Sequence, residues 1–541
     1  MKKLTLTVAG LLFTMAAFSQ NVFNNNQTTT NGGVNNVSPL TQGFSGTGSN
    51  TVDLTQNADG AGSVNNFGII QDSQDYANVA TVTQTATAAG VNNAMIKQQI
   101  DDSGTNEATV SQTASGAGSE NTADIDQDYT TSTDDSEASI TQDATGAGVN
   151  NAGIDQDGDY SSATVTQTAS AGDNDVYIFQ EDEGHTATVT QTATGTGSEN
   201  DADIYQYDYD NSATVTQTAS ATGNNYVYID QYDDDQKATV TQTADGTDSD
   251  NYAYIYQEQN ENTVTITQTA TSGGENDVEV YQYGEDSGVT ITQTAAGAGS
   301  TNDAYVEQDE DTDDSSVNIS QDAQAGAENY ADVEQDENDL VAKITQTGTG
   351  AGSTNTAKIV QEDETDNNSA TITQDAMASA DNSATITQSG DDQTATIDQM
   401  ADGSGSSNSA TITQQSTANM SDATITQDAQ NAGTNTATVT QKGNDATASV
   451  DQTAAFSATN TATVTQEDLN ALGSNAEITQ DAIDNSSNTA TTLQRTDALG
   501  DIIIDQTASG AGSSNLVDVF QNSSTFSSSA NITQDAMSSG T

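Results

Sequence analysis

The chain contains no cysteine and no tryptophan, and only one histidine and one proline in 541 residues. Without cysteine, no disulfide supports its stability and no thiol can act as a nucleophile. Basic residues are almost as scarce: eight Lys plus Arg stand against 80 Asp plus Glu, a net charge of −72. No basic patch exists to neutralise phosphates, so nucleic acid is excluded as a partner. Apolar runs are missing too, except from Leu4 to Phe18, which follows Lys2 and Lys3 and ends at the small residues Ala17 and Ser19. That pattern reads as a secretory signal, residues 1–19, cut before Gln20 and too short for a membrane anchor. Removing Lys2 and Lys3 leaves six bases against 80 acids, a mature charge of −74. No other segment is apolar enough to span a bilayer, so the mature chain is expected to be exported and soluble until it assembles. Catalysis has little to work with. His185 reads as a loop residue standing where Asn stands elsewhere, and no serine occupies a nucleophile-elbow context.

One short phrase fills the remaining space. In Asn200–Gln217, NDADIYQYDYDNSATVTQ, it occurs twice: Asn200, Ala202, Ile204, Gln206, then Asn211, Ala213, Val215, Gln217. Asn or Ser, Ala, Ile or Val, and Gln recur at every second position, the spacing of one face of a β-strand. Counting Gln anchors from Gln56 to Gln534 gives 37 such phrases. High charge with low hydrophobicity is also the signature of disorder, but strict alternation argues against it. A repeat this regular marks a solenoid that grows by adding rungs.

The spacing sets the coil. Gln180, Gln191, Gln206, Gln217, Gln231, Gln242, Gln257, Gln268, Gln282 and Gln293 are separated by alternating steps of 11 and of 14 or 15 residues. Two strands therefore make one coil, joined by a tight acidic loop such as Tyr207–Asp210 and a longer loop written A-x-G-x-G-S-x-N, as at Ala193 to Asn200. Glycine there permits turns that side chains would obstruct. The expectation is an all-β, two-sheet β-solenoid of about eighteen two-strand coils over residues 50–541, about 90 Å long at roughly 4.8 Å per rung, with amyloid-like stacking. Residues 20–49, rich in Asn, Thr and Gly and holding Pro39, read as a flexible leader, and proline is absent from every rung after it.

Ala, Ile or Val, and Gln share the face assigned to the interior. Burying an amide is costly unless all its groups are paired. Stacking meets that need if each Gln bonds its equivalents one rung up and one rung down. The expected ladder is Gln167, Gln180, Gln191, Gln206, Gln217, Gln231, Gln242, Gln257, Gln268, Gln282 and Gln293. Asn174, Asn200, Asn211, Asn225, Asn251, Asn262 and Asn276 are expected to do the same at the opposite corner. On the first sheet the outward positions are threonine pairs: Thr164 and Thr166, Thr188 and Thr190, Thr214 and Thr216, Thr239 and Thr241, Thr265 and Thr267, Thr290 and Thr292. On the second they are aromatic or acidic, among them Tyr177, Phe179, Asp203, Tyr205, Tyr228, Asp230, Tyr254 and Tyr256.

The short-step unit, seen in Gln206, Asp208, Asp210, Asn211, Ala213 and Gln217 and again in Gln388, Gly390, Asp392, Gln393, Ala395 and Gln399, resembles the curlin repeat of curli-type bacterial amyloid subunits, S-x5-Q-x-G-x-G-N-x-A-x3-Q. The resemblance runs from about Asn50 to Gln534. Coils here are longer, and Asp or Glu often replaces the loop glycines. What it implies is a secreted bacterial protein, extracellular or on the cell surface. The chain would polymerise end to end with copies of itself into fibres for matrix, biofilm and adhesion, served by curli-type secretion and nucleation proteins.

Two further readings come from the residues. Asp233, Asp234 and Asp235, with the run from Asp309 to Asp314, supply hard oxygen ligands suited to weak Ca2+ binding, although neither an EF-hand loop nor a calcium-binding β-helix repeat is present. No other cofactor is expected. The flat array of Thr-x-Thr pairs is similar to the ice-binding face of some antifreeze solenoids, so a monomeric ice-binding or adhesive β-solenoid is the alternative to the fibre.

Overall fold

A computed structural model of the protein describes residues 21–44, 49–73, 77–100, 104–128, 135–247, 249–309, 314–336, 338–362, 367–467, 474–495, 500–522 and 528–538. The expected signal segment, 1–19, lies outside them, as does most of the acidic run between Asp309 and Asp314. The fold is an all-β, parallel-stranded solenoid. No helix occurs among the described residues, so none is long and apolar enough to cross a membrane.

The chain divides into two units, Met1–Glu261 and Asn262–Thr541. In the first unit, strands fall alternately on two sheets, and each pairs in parallel with the equivalent strand of the next coil. Ser162–Ser170 lies beside Thr186–Thr194, which lies beside Ser212–Ser220 and then Lys237–Asp245. Facing them run Asp173–Glu181, Glu199–Gln206, Asn224–Gln231 and Asp250–Tyr254, members of a nine-stranded second sheet. Register is exact in kind as well as position: Ala187 meets Ala213, Val189 meets Val215, and Gln191 meets Gln217. A slip of one residue would turn Val and Gln to the solvent and Thr into the seam, so alternation itself enforces the pairing.

The second unit repeats this plan from Thr263–Thr271 to Ser528–Met537, with its own nine-stranded second sheet. Its second sheet is irregular at the start. Around Asn276–Gln282 the regular ladder gives way to the isolated bridges Glu275–Thr301 and Tyr281–Glu307, with side-chain bonds between the coils at Asn276 and Gln282. Val280, Tyr281 and Gln282 there have φ of 117°, 101° and 60°. Asp277 and Glu279 face outward beside Asp303, and carboxylates facing one another across adjacent strands weaken pairing.

The segment expected to be a flexible leader is instead a full coil. Val22–Thr30 pairs with Thr51–Asp59, and Val34–Phe44 pairs with Val64–Ser73. Gln27 and Gln42 anchor these strands, with Nε2 of each donating to Oε1 of Gln56 and Gln71 at 2.8 and 2.9 Å. The ladder therefore begins before Asn50. Pro39, expected outside the rungs, sits within a strand where the register shifts between Val37 and Leu40. A bulge is where a strand tolerates a residue with no amide proton.

The core is thin. Ala187, Val189 and Ala193 of one strand and Ala202 and Ile204 of its counterpart are at most 1% exposed. With aliphatics this small, the two backbones approach closely enough for side-chain amides of one sheet to reach carbonyls of the other.

Candidate functional site

Each inward amide is held in two directions. On the first sheet, Gln167 Nε2 donates to Gln191 Oε1 at 2.9 Å, Gln191 to Gln217 at 2.8 Å and Gln217 to Gln242 at 3.0 Å. The second Nε2 proton crosses the seam: Gln167 donates to the Asn151 carbonyl, Gln191 to Asp175 and Gln217 to Asp201, each at 2.7 Å, and Gln242 to Tyr226 at 2.9 Å. On the second sheet, Gln180 donates to Gln206, Gln206 to Gln231 and Gln231 to Gln257 at 2.8 to 3.0 Å. Their crossing bonds are longer, 3.4 Å from Gln180 to the Ser162 carbonyl. All of these glutamines are at most 1% exposed. In the second unit Gln268 donates to Gln293 at 3.1 Å, whereas Gln282 accepts from Gln308 at 2.6 Å, so the column there runs in the opposite sense.

The asparagines divide into two groups. Asn200 Nδ2 donates to Asn174 Oδ1, Asn225 to Asn200 and Asn251 to Asn225, at 2.6 to 2.7 Å. In the second unit Asn276 donates to Asn302 at 2.7 Å. In the first unit the Asn column donates toward the N-terminus while the Gln columns donate toward the C-terminus, so their side-chain dipoles oppose one another. Asn211 and Asn262, expected in the same row, are elsewhere. They begin first-sheet strands, where the equivalent residues are His185, Gln236 and Ser287 instead of further asparagines, and no like-with-like column can form. Asn211 Nδ2 donates to the Tyr207 and Asp233 carbonyls at 2.6 and 2.8 Å, and its Oδ1 accepts from Gln236 N at 2.8 Å. Asn262 Oδ1 accepts from Ser287 N at 3.0 Å. His185 takes this same corner, fully buried. Its Nε2 donates to the Glu181 carbonyl and its Nδ1 accepts from Asn211 N at 3.3 Å. Burial holds its pKa below the ordinary value, which keeps the ring neutral.

In many coils the residue before this corner is left-handed. Asp210, Asp235, Glu261, Asp286, Asp339, Asp392 and Asp445 all have φ between 54° and 59° or within two degrees of that span. Asp and Asn bear this conformation better than most side chains. Two residues earlier, Asp208 (φ 63°) and Asp233 (φ 57°) are also left-handed. Their carboxylates accept from the backbone of the next coil, Asp208 Oδ2 from Asp233 N at 3.1 Å and Asp233 Oδ2 from Gln259 N at 3.0 Å. An acid in place of loop glycine thus gains a bond between coils that glycine cannot make. The same bonds show what Asp233 does within the triplet Asp233–Asp235. Among the described residues no three His, Cys, Asp or Glu side chains are gathered closely enough to hold a metal ion.

The long loops come in two alternating forms. Gly195 and Gly197 (φ 103° and 82°) shape one, and the left-handed pair Ala221–Thr222 shapes the next. In several coils the buried serine closing the first form accepts from the second: Ser63 Oγ from Ala89 N at 3.1 Å, Ser300 Oγ from Gly326 N at 2.9 Å, Ser406 Oγ from Ala432 N at 3.1 Å.

The outer faces differ. In the first unit Thr164, Thr188, Thr214 and Thr239 stand in one row, and Thr166, Thr190, Thr216 and Thr241 in the next, exposed or half-buried. In the second unit Thr265 meets Thr290 and Thr267 meets Thr292. The second sheet carries stacked tyrosines and carboxylates. Burial, with neighbouring acids, pushes Asp155, Asp201, Asp277 and Asp303 up to about 6. Burial raises Asp230 as well, against hydrogen bonds from Tyr232 and Tyr228 that lower it.

A solenoid whose coils repeat in register, like residue on like residue, defines a structural repeat protein. Residues 380–415 match the family model of the curlin associated repeat. They span the strands Asp381–Gln388, Thr394–Asp402 and Ser407–Gln414, which keep the same register of Ala, Ile and Gln as their neighbours. No curated protein matches the chain.

Proposed function

We propose that this protein is a secreted, non-enzymatic subunit of curli-like amyloid fibres, exported through the segment at residues 1–19 and serving extracellular matrix, biofilm and surface adhesion. The observation that carries the reading is the identity of residues placed in register from coil to coil, Gln on Gln and Asn on Asn. A second copy of the chain offers the same pattern of donors and acceptors that each coil offers its neighbour. Curli-type secretion and nucleation proteins are the partners this assigns. Divalent cations act as loosely held counter-ions of the acidic loops, and they speed assembly by screening carboxylates. Electron microscopy of the mature protein at physiological salt, with and without calcium, tests this, together with thioflavin binding. Elongating fibres with cross-β diffraction support it, and a monomer that never elongates overturns it.

The registered threonine rows support one alternative, an ice-binding or adhesive monomer. Dilute monomer would then reshape growing ice crystals, and unshaped crystals end that reading.

A further inference from the structure

The outer face of the second sheet concentrates tyrosine. Ten of the 17 tyrosines lie between Tyr177 and Tyr256. Their rings stack from coil to coil: Tyr207 on Tyr232 at 4.8 Å and 6°, Tyr228 on Tyr254 at 5.6 Å and 7°, Tyr226 on Tyr252 at 5.6 Å and 13°. Tyr177 and Tyr205 at 5.8 Å and Tyr205 and Tyr228 at 5.4 Å continue the row at larger tilts. Ring faces are turned toward one another, so they are not free to stack on a sugar. The rings are half-buried, so each keeps part of its surface in contact with solvent.

The phenols have a proton acceptor built in. Tyr228 and Tyr232 both donate to Asp230 Oδ2, at 3.2 and 3.1 Å, and Asp230 is 8% exposed. Tyr256 donates to Glu258 Oε2 at 3.2 Å. Burial beside carboxylates holds Tyr228 and Tyr232 above the usual phenol range, so neither is a phenolate at neutral pH. An electron can then leave only if the proton leaves too, and for Tyr228 and Tyr232 the Asp230 carboxylate is placed to accept it.

We propose that this face is a site of oxidative tyrosine coupling, where a one-electron oxidant fed by hydrogen peroxide joins adjacent coils through dityrosine bonds. Each phenol gives up one electron to the oxidant and one proton, which Tyr228 and Tyr232 pass to Asp230 and their partners pass to water, leaving a neutral radical. A bond forms between ring carbons ortho to the two hydroxyls. Each of those carbons then loses its hydrogen, which restores both phenols. Two tyrosines lose two electrons and two protons in all, and one hydrogen peroxide takes them up as two waters. The product clamps one coil to the next covalently in a chain that has no cysteine.

The test treats the native mature protein with a haem peroxidase and hydrogen peroxide, then maps cross-linked peptides by mass spectrometry. Coupling within single chains at Tyr207–Tyr232 and Tyr228–Tyr254 is expected, several-fold above the yield from urea-unfolded chain. Tyr232→Phe removes the first cross-link and leaves Tyr226–Tyr252 intact. Asp230→Asn slows coupling at Tyr228 and Tyr232 several-fold, and Asp230→Glu restores it, with the circular dichroism of both variants unchanged. Equal yields from folded and unfolded chain overturn the proposal. So does coupling confined to Tyr160 and Tyr209, which are 56% and 48% exposed and would react first if access alone governed.

Discussion

Replacing Gln191 by leucine removes three hydrogen bonds from a fully buried site. Gln167 Nε2 loses its 2.9 Å acceptor, Gln217 Oε1 loses its 2.8 Å donor and the Asp175 carbonyl loses its 2.7 Å partner. Gln167 keeps its bond to the Asn151 carbonyl, so one of its two amide protons stays paired. Each buried polar group left alone costs about 1–3 kcal/mol, and the leucine methyl groups return about 1–2 kcal/mol through apolar burial. For the three groups together the net loss is on the order of 4 kcal/mol. In a solenoid that loss is felt mainly by the coil concerned and its neighbours. Amide hydrogen exchange should therefore show lost protection in Ser162–Ser170, Thr186–Thr194 and Ser212–Ser220 and little change several coils away. Thr190→Val, on the outward face of the same strand, should change stability by less than about 0.5 kcal/mol. If Gln191→Leu kept wild-type protection and urea midpoint, the amide ladder would not be what joins the coils.

Three other outcomes follow from the geometry. Burial and neighbouring acids raise Asp155, Asp201, Asp277 and Asp303 to about 6 in the fold, above the ordinary aspartate range, so the folded state holds their protons more tightly than the unfolded chain. Stability should rise as pH falls from 7 to about 4, on the order of 1 kcal/mol for each after allowing for their partial exposure. His185, with its pKa lowered, works the other way as a single group; a thermal melting series against pH reads the sum, and a fall in stability from pH 7 to 5 would contradict it. Met420 holds φ 55° where most of the coils named above carry Asp, so Met420→Asn should stabilise by about 1 kcal/mol, seen as a higher melting temperature. A Cβ on Gly223 would lie 2.3 Å from the Ala244 carbonyl oxygen, while one on Gly288 would meet nothing within 4 Å. Gly223→Ala should cost about 2–3 kcal/mol in urea unfolding, and Gly288→Ala close to none.

Much of this architecture was legible in the spacing of glutamine alone, because a period of two within strands and fixed steps between them leave few ways to fold. The coil at Val22–Phe44 is hidden in the sequence because an extra residue between Val37 and Leu40 breaks the alternation and Asn25 and Thr29 stand where Leu54 and Ala58 stand in the next coil, although Gln27 and Gln42 keep the long step. Asn211 and Asn174 look alike in sequence, yet one starts a first-sheet strand and the other a second-sheet strand, and only the neighbours in adjacent coils decide which can form a column. The alternation of loop forms was present as long steps of 15 from Gln191 to Gln206 and 14 from Gln217 to Gln231. The bonds from Gln to carbonyls across the seam had no sequence signal, since they depend on the distance between two sheets.

The most direct measurement is hydrogen exchange of the glutamine side-chain amides, read by nuclear magnetic resonance on protein labelled with 15N only at glutamine. Nε2 protons of Gln167, Gln191, Gln206 and Gln217 should exchange far more slowly than those of the exposed Gln415 and Gln324. Exchange of all of them at the rate of a free amide would place these side chains in water and contradict the account.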